Sequence, residues 1–376
     1  MPEMLSWSLT MQREIKAKFL IEVGYSAIIG THLIANLLNY NQIDINKLQP
    51  NANIFTNAGR NLLNTTFDNK NNLVATNGYK LPYVEFPANF TLLRSLRPFP
   101  QYNNILTGSG GDHSGHSSYH SMILKVTRRY ARDLMIDASY VFSKMFTDSD
   151  SMWGSGVAMD MYNRRLDKAL SAADRTHEAK INYVYNLPVG HGQKYLKKGF
   201  LSQTVGGWRI GAVERYASGT PIAFTGAYGF PIIGNRPYID TYEGWRATPA
   251  GEKFDPNVDR YFKPATTVSY NGDIPTVTSQ GFFPFQPRDR VGNMTKNNPK
   301  MRNFVLFNED VSLAKSFTMS EANHVTADLR FEAFNVFNRT LFGTPNTNVA
   351  DVANFGLVRT QANSPRRMQF ALKLNW

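Results

Sequence analysis

Apolar and polar residues alternate one by one in short runs along this chain, and the clearest run is its last. Met368, Phe370, Leu372, Leu374 and Trp376 fall on one face of a strand, with Arg367, Gln369, Lys373 and Asn375 on the other, because successive strand side chains point oppositely. The next cleanest sets Val325, Ala327, Leu329, Phe331 and Ala333 against His324, Thr326, Asp328, Arg330 and Glu332. Working back, the same period marks strands around Leu5–Met11, Phe19–Ala27, Tyr119–Tyr130, Leu134–Phe142, Ile181–Leu187, Trp208–Tyr216 and Val305–Phe317. Five positions break it: Ile123, Arg128, Glu214 and the pair Glu309 and Lys315 on one strand. The count is nine strands. Their links alternate: short after the first (Arg13 to Lys18), third (Ala131 to Asp133) and seventh (Thr318 to Asn323), short to medium after the fifth, and long after the second, fourth, sixth and eighth. The long links, from Ile28 to about Ser118 and from Ala217 to about Lys300 above all, are crowded with Asn, Gly and Pro and show no period.

A strand of about 9–11 residues with one oily face is what crosses a bilayer when tilted in a barrel. Strict alternation of short and long links separates two ends of a meander, as short periplasmic turns and long extracellular loops do. The expected fold is therefore all-β, an antiparallel transmembrane β-barrel. Met368, Phe370, Leu372, Leu374 and Trp376 would form its C-terminal membrane-insertion strand. Asp328, Arg330 and Glu332 would face the lumen and pair across to Arg367 or Lys373 as a wall-stabilising ion network. Trp7, Tyr25, Tyr119, Tyr130, Tyr183, Trp208, Tyr216 and Trp376 lie near strand ends, where amphipathic rings form girdles at the head groups. A soluble or surface-displayed β-rich binding or structural protein shows the same alternation and is the competing expectation.

Composition changes this picture little. Aromatics are 13% of the chain, with 18 Tyr and 25 Phe, a mix that suits strands. No apolar run approaches the ~18 residues of a membrane helix, the longest candidate being Leu33 to Leu38. A mean hydropathy of -0.36 fits a barrel, which shows lipid only every second residue. The absence of Cys removes thiolate chemistry and disulfides. The formal charge of +12 is spread through the loops rather than gathered on one element, which points to outer-membrane lipid head groups rather than nucleic acid. Asp112, His113, His116 and His120 could hold a metal ion, but they sit in a Gly/Ser-rich loop that offers little pre-organisation. Asp148 and Asp150 open like a calcium loop, yet Trp153 stands where Gly is needed and Met159 where the closing Glu belongs. Gly108 to Gly111 lacks the flanking strand and helix of a phosphate cradle. No catalytic residue, metal site or cofactor is expected, and no enzyme activity.

Several segments together resemble the TonB-dependent outer-membrane receptors, in particular the Oar-like group with a carboxypeptidase-regulatory-like N-terminal domain. They are Leu5-Ser6-Trp7-Ser8-Leu9, Glu22-Val23-Gly24-Tyr25, Ser118-Tyr119-His120-Ser121 and Ala138-Ser139-Tyr140-Val141-Phe142-Ser143-Lys144 in the first half. Asp174-Arg175-Thr176-His177, Tyr185-Asn186-Leu187-Pro188-Val189-Gly190, Gly206-Gly207-Trp208, Ser218-Gly219-Thr220-Pro221, Phe331-Glu332-Ala333-Phe334-Asn335-Val336-Phe337-Asn338 and Pro365-Arg366-Arg367-Met368-Gln369-Phe370 follow in the same order. The resemblance implies the C-terminal portion, over residues 1–376, of a large plugged barrel taking up an unidentified ligand with energy delivered through TonB. The barrel assembly machinery is a further implied partner. Such barrels have about 22 strands. Here the plug, the TonB-contact segment and a signal peptide are not recognisable, so the chain is expected to be a fragment or a truncated gene product.

Overall fold

The computed structural model describes residues 1–35, 38–107, 111–131, 133–150, 158–190, 193–196, 198–248, 252–283, 286–320 and 325–376. Nine long strands form one antiparallel sheet in chain order: β1 (Glu3–Ile15), β2 (Phe19–Leu33), β3 (Gly115–Ala131), β4 (Leu134–Thr147), β5 (His177–Asn186), β6 (Trp208–Ala217), β7 (Leu306–Ser320), β8 (Val325–Phe334) and β9 (Arg367–Asn375). A two-residue strand, Ala169–Leu170, adds to the end of β4. These are the nine strands the alternation predicts. Several are longer than predicted at the long-loop end: β2 continues to Leu33 and β3 begins at Gly115, because the backbone ladder outlasts the clean alternation of side chains.

The first turn is also tighter than the charged link from Arg13 to Lys18 suggests. Register pairs Ile15 with Phe19, so Arg13 and Glu14 belong to β1 and only Lys16–Lys18 turn. Ala17 (φ 65°) and Lys18 (φ 62°) are both left-handed, the backbone hand that matches strand twist in a tight hairpin. At the same end, β3 and β4 are joined at Asp133 (φ 112°).

At the other end the four long links fold. They are not structureless, as their lost period suggested. Residues 34–114 hold a helix at Asn57–Leu63, capped by Thr56 Oγ1, which accepts from Gly59 N–H at 3.1 Å. Ile54, Leu62, Leu63, Val74 and Leu92 are buried there against Phe230 and Ile233 of the 218–305 link. That link also builds a second core with residues 335–366, in which Phe224, Trp245, Tyr261, Phe262, Phe283 and Phe355 pack in edge-to-face, tilted and stacked pairs. The 148–176 link is tied in by polar contacts: Gln42 Nε2 donates to Asp160 at 2.7 Å, and Asn297 Nδ2 to Leu170 O at 2.7 Å. The loops thus form a packed cap.

Among the described residues β1 pairs only with β2 and β9 only with β8. In an antiparallel sheet of nine strands the first and last run in the same direction. These two edges therefore cannot close on each other with antiparallel pairing.

Candidate functional site

The sheet has two faces of opposite chemistry, and register shows how continuous each is. One row across it reads Phe370, Phe331, Leu313, Ile210, Tyr185 and Leu134. The next reads Met368, Ala333, Val311, Ala212, Tyr183, Ile136, Arg128, Phe19 and Ile15. Phe370 is 67% exposed and Leu372 61%, so no protein core covers this face on β9. A bare oily wall many strands wide has water as its worst neighbour and hydrocarbon as its best.

The exceptions marked by the alternation each make contacts within the protein or turn to the other face. Arg128 lays its guanidinium 5.2 Å from the Phe19 ring. Glu309 is buried and accepts from Arg339 Nε at 3.1 Å, while Glu214 beside it accepts from Tyr216 OH at 3.2 Å. Lys315 runs along the wall to donate to Thr204 O at 2.9 Å, with the Phe317 ring 4.7 Å from its Nζ, a long side chain carrying its charge towards the short-turn end. Ile123 simply faces the other way, in register with Gly24 and Val141.

From mid-strand towards the long loops the same face carries a band of rings and imidazoles. Tyr25 OH lies 2.7 Å from His120 Nδ1, with Trp7 edge-on to that imidazole at 6.4 Å, and Tyr140 OH lies 2.7 Å from His177 Nδ1. Trp7, Tyr25, Tyr183, Trp208 and Tyr216 sit on the apolar face. Tyr119 does not: it pairs with Ile28 and Met145 and so shares the polar face, which removes it from the girdle. The Tyr130 side chain, Trp153, His324 and residues 108–110 lie outside the described positions.

The polar face is laced by short-range contacts. Lys180 and Arg215 both reach Glu178, at 3.2 and 2.9 Å, and Lys125 reaches Asp137 at 3.6 Å. Asp328, Arg330 and Glu332 lie on this face of β8, as do Arg367 and Lys373 on β9. Their pairing differs from the ladder of cross-strand ion pairs expected. Arg330 pairs with Glu332 on its own strand, and Glu332 also accepts from Gln369. Asp328 stands opposite Lys373 in register, yet its hydrogen bonds come from Ser316 and from Asn375 Nδ2 at 3.0 Å. Arg367 is opposite Phe334 and donates to Ser364 Oγ at 2.7 Å. Two hollows open on this face and share Asp310 and Phe334: one of about 350 Å³ reaches Arg330 and Glu332, and one of about 630 Å³ reaches Arg367 and Gln369.

The weighed metal ligands do not converge. Asp112 accepts from Ser114 N–H and Leu38 N–H, His113 Nδ1 meets His32 O, His116 approaches Asp148, and His120 is held by Tyr25. Asp148 holds Arg164 at 2.9 Å, and Asp150 accepts from Asn297 Nδ2 at 2.9 Å.

An ionic clamp adds to the packing between two of the cap loops. Asp273 accepts from the buried Arg60 guanidinium and from Asn57 N–H. Partial burial alone would raise the Asp273 carboxyl; the Asn57 amide and the Arg60 hydrogen bond and charge outweigh it and hold the pKa below the usual range. A depressed pKa stabilises the fold fully above the unfolded value of ~3.9. That contribution is lost as pH falls through the folded pKa. Asp273→Asn removes the charge at every pH and leaves the buried Arg60 guanidinium without its counter-charge, an expected cost of about 1–3 kcal/mol. Faster amide exchange over Asn57–Leu63 at pH 7, together with a flatter acid response, would register it. Exchange matching the wild type at both pH values would contradict the clamp.

A sheet with one lipid-ready face, one wet face and a folded cap at one end is the wall of an outer-membrane β-barrel. The family model for the outer membrane beta barrel domain matches residues 1–369, and the chain belongs to that family. It is an outer-membrane protein. Among solved structures, it is similar to the outer membrane transporter YddB from Escherichia coli at 10% identity and a TM-score of 0.43, covering 99% of this chain and 32% of that one. It is also similar to the pyoverdine outer membrane receptor FpvA from Pseudomonas aeruginosa at 8% identity and a TM-score of 0.37, covering 100% of this chain and 30% of that one. The chain thus spans about a third or less of the length of these two proteins. No curated protein matches it.

Proposed function

We propose that this chain is the C-terminal wall of a larger outer-membrane receptor of the TonB-dependent type, in its Oar-like group, and that the complete protein takes up a ligand with energy delivered through TonB. The observation that carries the reading is the parity of the sheet. Nine antiparallel strands leave edges that run the same way, so antiparallel closure needs an odd number of further strands between β9 and β1. An unclosed sheet in lipid would leave a row of N–H and C=O groups unsatisfied at a cost of several kcal/mol each. The interlocked cap and the two hollows on the polar face supply surfaces for a ligand on the outer side of such a wall, and no chemistry on these residues suggests turnover, so we read the protein as a receptor and not an enzyme.

The chain has no native Cys, which makes edge mapping clean. Single cysteines at Ser6, Ser8 and Thr10 on β1 are combined with single cysteines at Gln369, Ala371 and Lys373 on β9, in outer membranes, under mild oxidation. The expected result is that no combination gives an internal disulfide in high yield, because other strands separate the edges. A near-quantitative β1–β9 disulfide would overturn the larger-barrel reading. A folded, monodisperse monomer in detergent-free buffer would instead favour a soluble β-rich binding protein.

A further inference from the structure

On the apolar face, at the end from which the long loops leave, lies a cavity of about 360 Å³. Its floor is Ile29, Ser118 and Phe146, which pair across β2, β3 and β4 in a single row. Thr31, His116 and Asp148 extend the same face two residues further along each strand. The roof is the short 3-10 turn Arg164–Asp167 and the Lys168 that follows it. Arg164 is already engaged, giving its guanidinium to Asp148 at 2.9 Å and to Ser114 Oγ at 2.7 Å, and Asp148 also accepts from His116 N–H at 2.7 Å. Arg165 and Lys168 are different: both are exposed on the cavity lip, with no side-chain hydrogen bond or ion pair among the described residues.

Two cations with no partner among the described residues therefore stand directly above a wall that faces hydrocarbon, one row beyond the ring and imidazole band of Trp7 and His120. A soluble anion has no use for the Ile29 and Phe146 floor, and a neutral lipid has none for the cations. We propose that this notch binds the phosphate group of an anionic lipid of the outer leaflet, with Arg165 and Lys168 holding the phosphate oxygens and an acyl chain lying along Ile29 and Phe146. The assignment rests on the outer-membrane placement alone and not on transport or on how the barrel closes.

The test uses the protein extracted whole from outer membranes in mild detergent, with bound lipid counted by native mass spectrometry. The probes are diphosphorylated lipid A, its dephosphorylated form and inorganic phosphate. Wild type is expected to retain lipid A in preference to the dephosphorylated form. Arg165→Gln with Lys168→Gln is expected to bind it about tenfold or more weakly, as losing two cations near an anionic surface implies. Lys70→Gln with Lys80→Gln, which removes the same charge from exposed cap positions, should bind like wild type. Equal retention of the dephosphorylated lipid, an equal loss in the cap control, or unchanged binding in the Arg165 and Lys168 variant would overturn the proposal. So would inorganic phosphate competing as well as lipid A, which would make this a soluble-anion site. The lipid A comparison needs no variant, so a misfolded variant leaves the proposal open to refutation.

Discussion

Leu372→Arg is expected to destabilise the folded protein in a bilayer by about 2–4 kcal/mol, the range for a guanidinium near the midplane on the lipid side of a barrel strand. Lys373→Gln, one residue along and on the opposite face, should change stability little. The two positions share a backbone strand, so propensity and edge effects are the same for both. Only what lies against each side chain differs. Leu372 pairs with Leu329 and is 61% exposed on a face with no protein over it, whereas Lys373 pairs with Asp328 among polar neighbours. Folding titrations into lipid vesicles in urea measure the contrast. Equal sensitivity at the two positions would mean that hydrocarbon does not cover the Leu372 face, and the membrane assignment would fail with it.

The second large effect lies in the cap. Phe262 is fully buried, with Phe224, Phe283 and Phe355 at ring separations of 5.1, 5.9 and 5.2 Å and Trp245 at 5.7 Å. Phe262→Ala removes the ring at the centre of that packing and leaves a void the neighbours can only partly fill, for an expected loss of about 3–5 kcal/mol. The loss should be local. Residues 218–305 and 335–366 are expected to lose hydrogen-exchange protection and to become protease-sensitive, while the nine wall strands keep theirs. If the wall strands open together with the cap, the two are one cooperative unit; if neither changes, the aromatic cluster does not hold the cap. Either outcome refutes a separately stabilised cap.

The wall was legible because it obeys a rule with one variable. When one side of a strand meets lipid and the other meets water, every second residue is constrained, and Met368 to Trp376 or Val325 to Ala333 display that constraint without help from the rest of the chain. Link lengths then separate the two ends of the meander. The exceptions were legible as exceptions but not as solutions. Nothing adjacent to Glu309 announces Arg339, and nothing adjacent to Lys315 announces the Thr204 carbonyl, because those partners arrive from other segments. Tyr119 misled for a related reason. A ring near a strand end suits either face, and only the register with Ile28 and Met145 decides between them.

The cap was the larger omission. Its Phe, Tyr and Trp residues were visible in the composition, but Phe224, Phe262, Phe283 and Phe355 are spaced without period on irregular backbone, so no repeat of 2 or 3.6 marks them as buried. What the amino-acid sequence determined by itself was the set of strands, their oily and wet faces and the order of short and long links, since each depends on neighbours within a few residues. What only the tertiary structure decided was which loop cores form, which charges find partners, that Arg165 and Lys168 come to lie above the lipid-facing wall, and that the nine strands run with parallel edges flanking the sheet. Those outcomes depend on contacts between residues far apart in the chain, and local alternation carries no record of them.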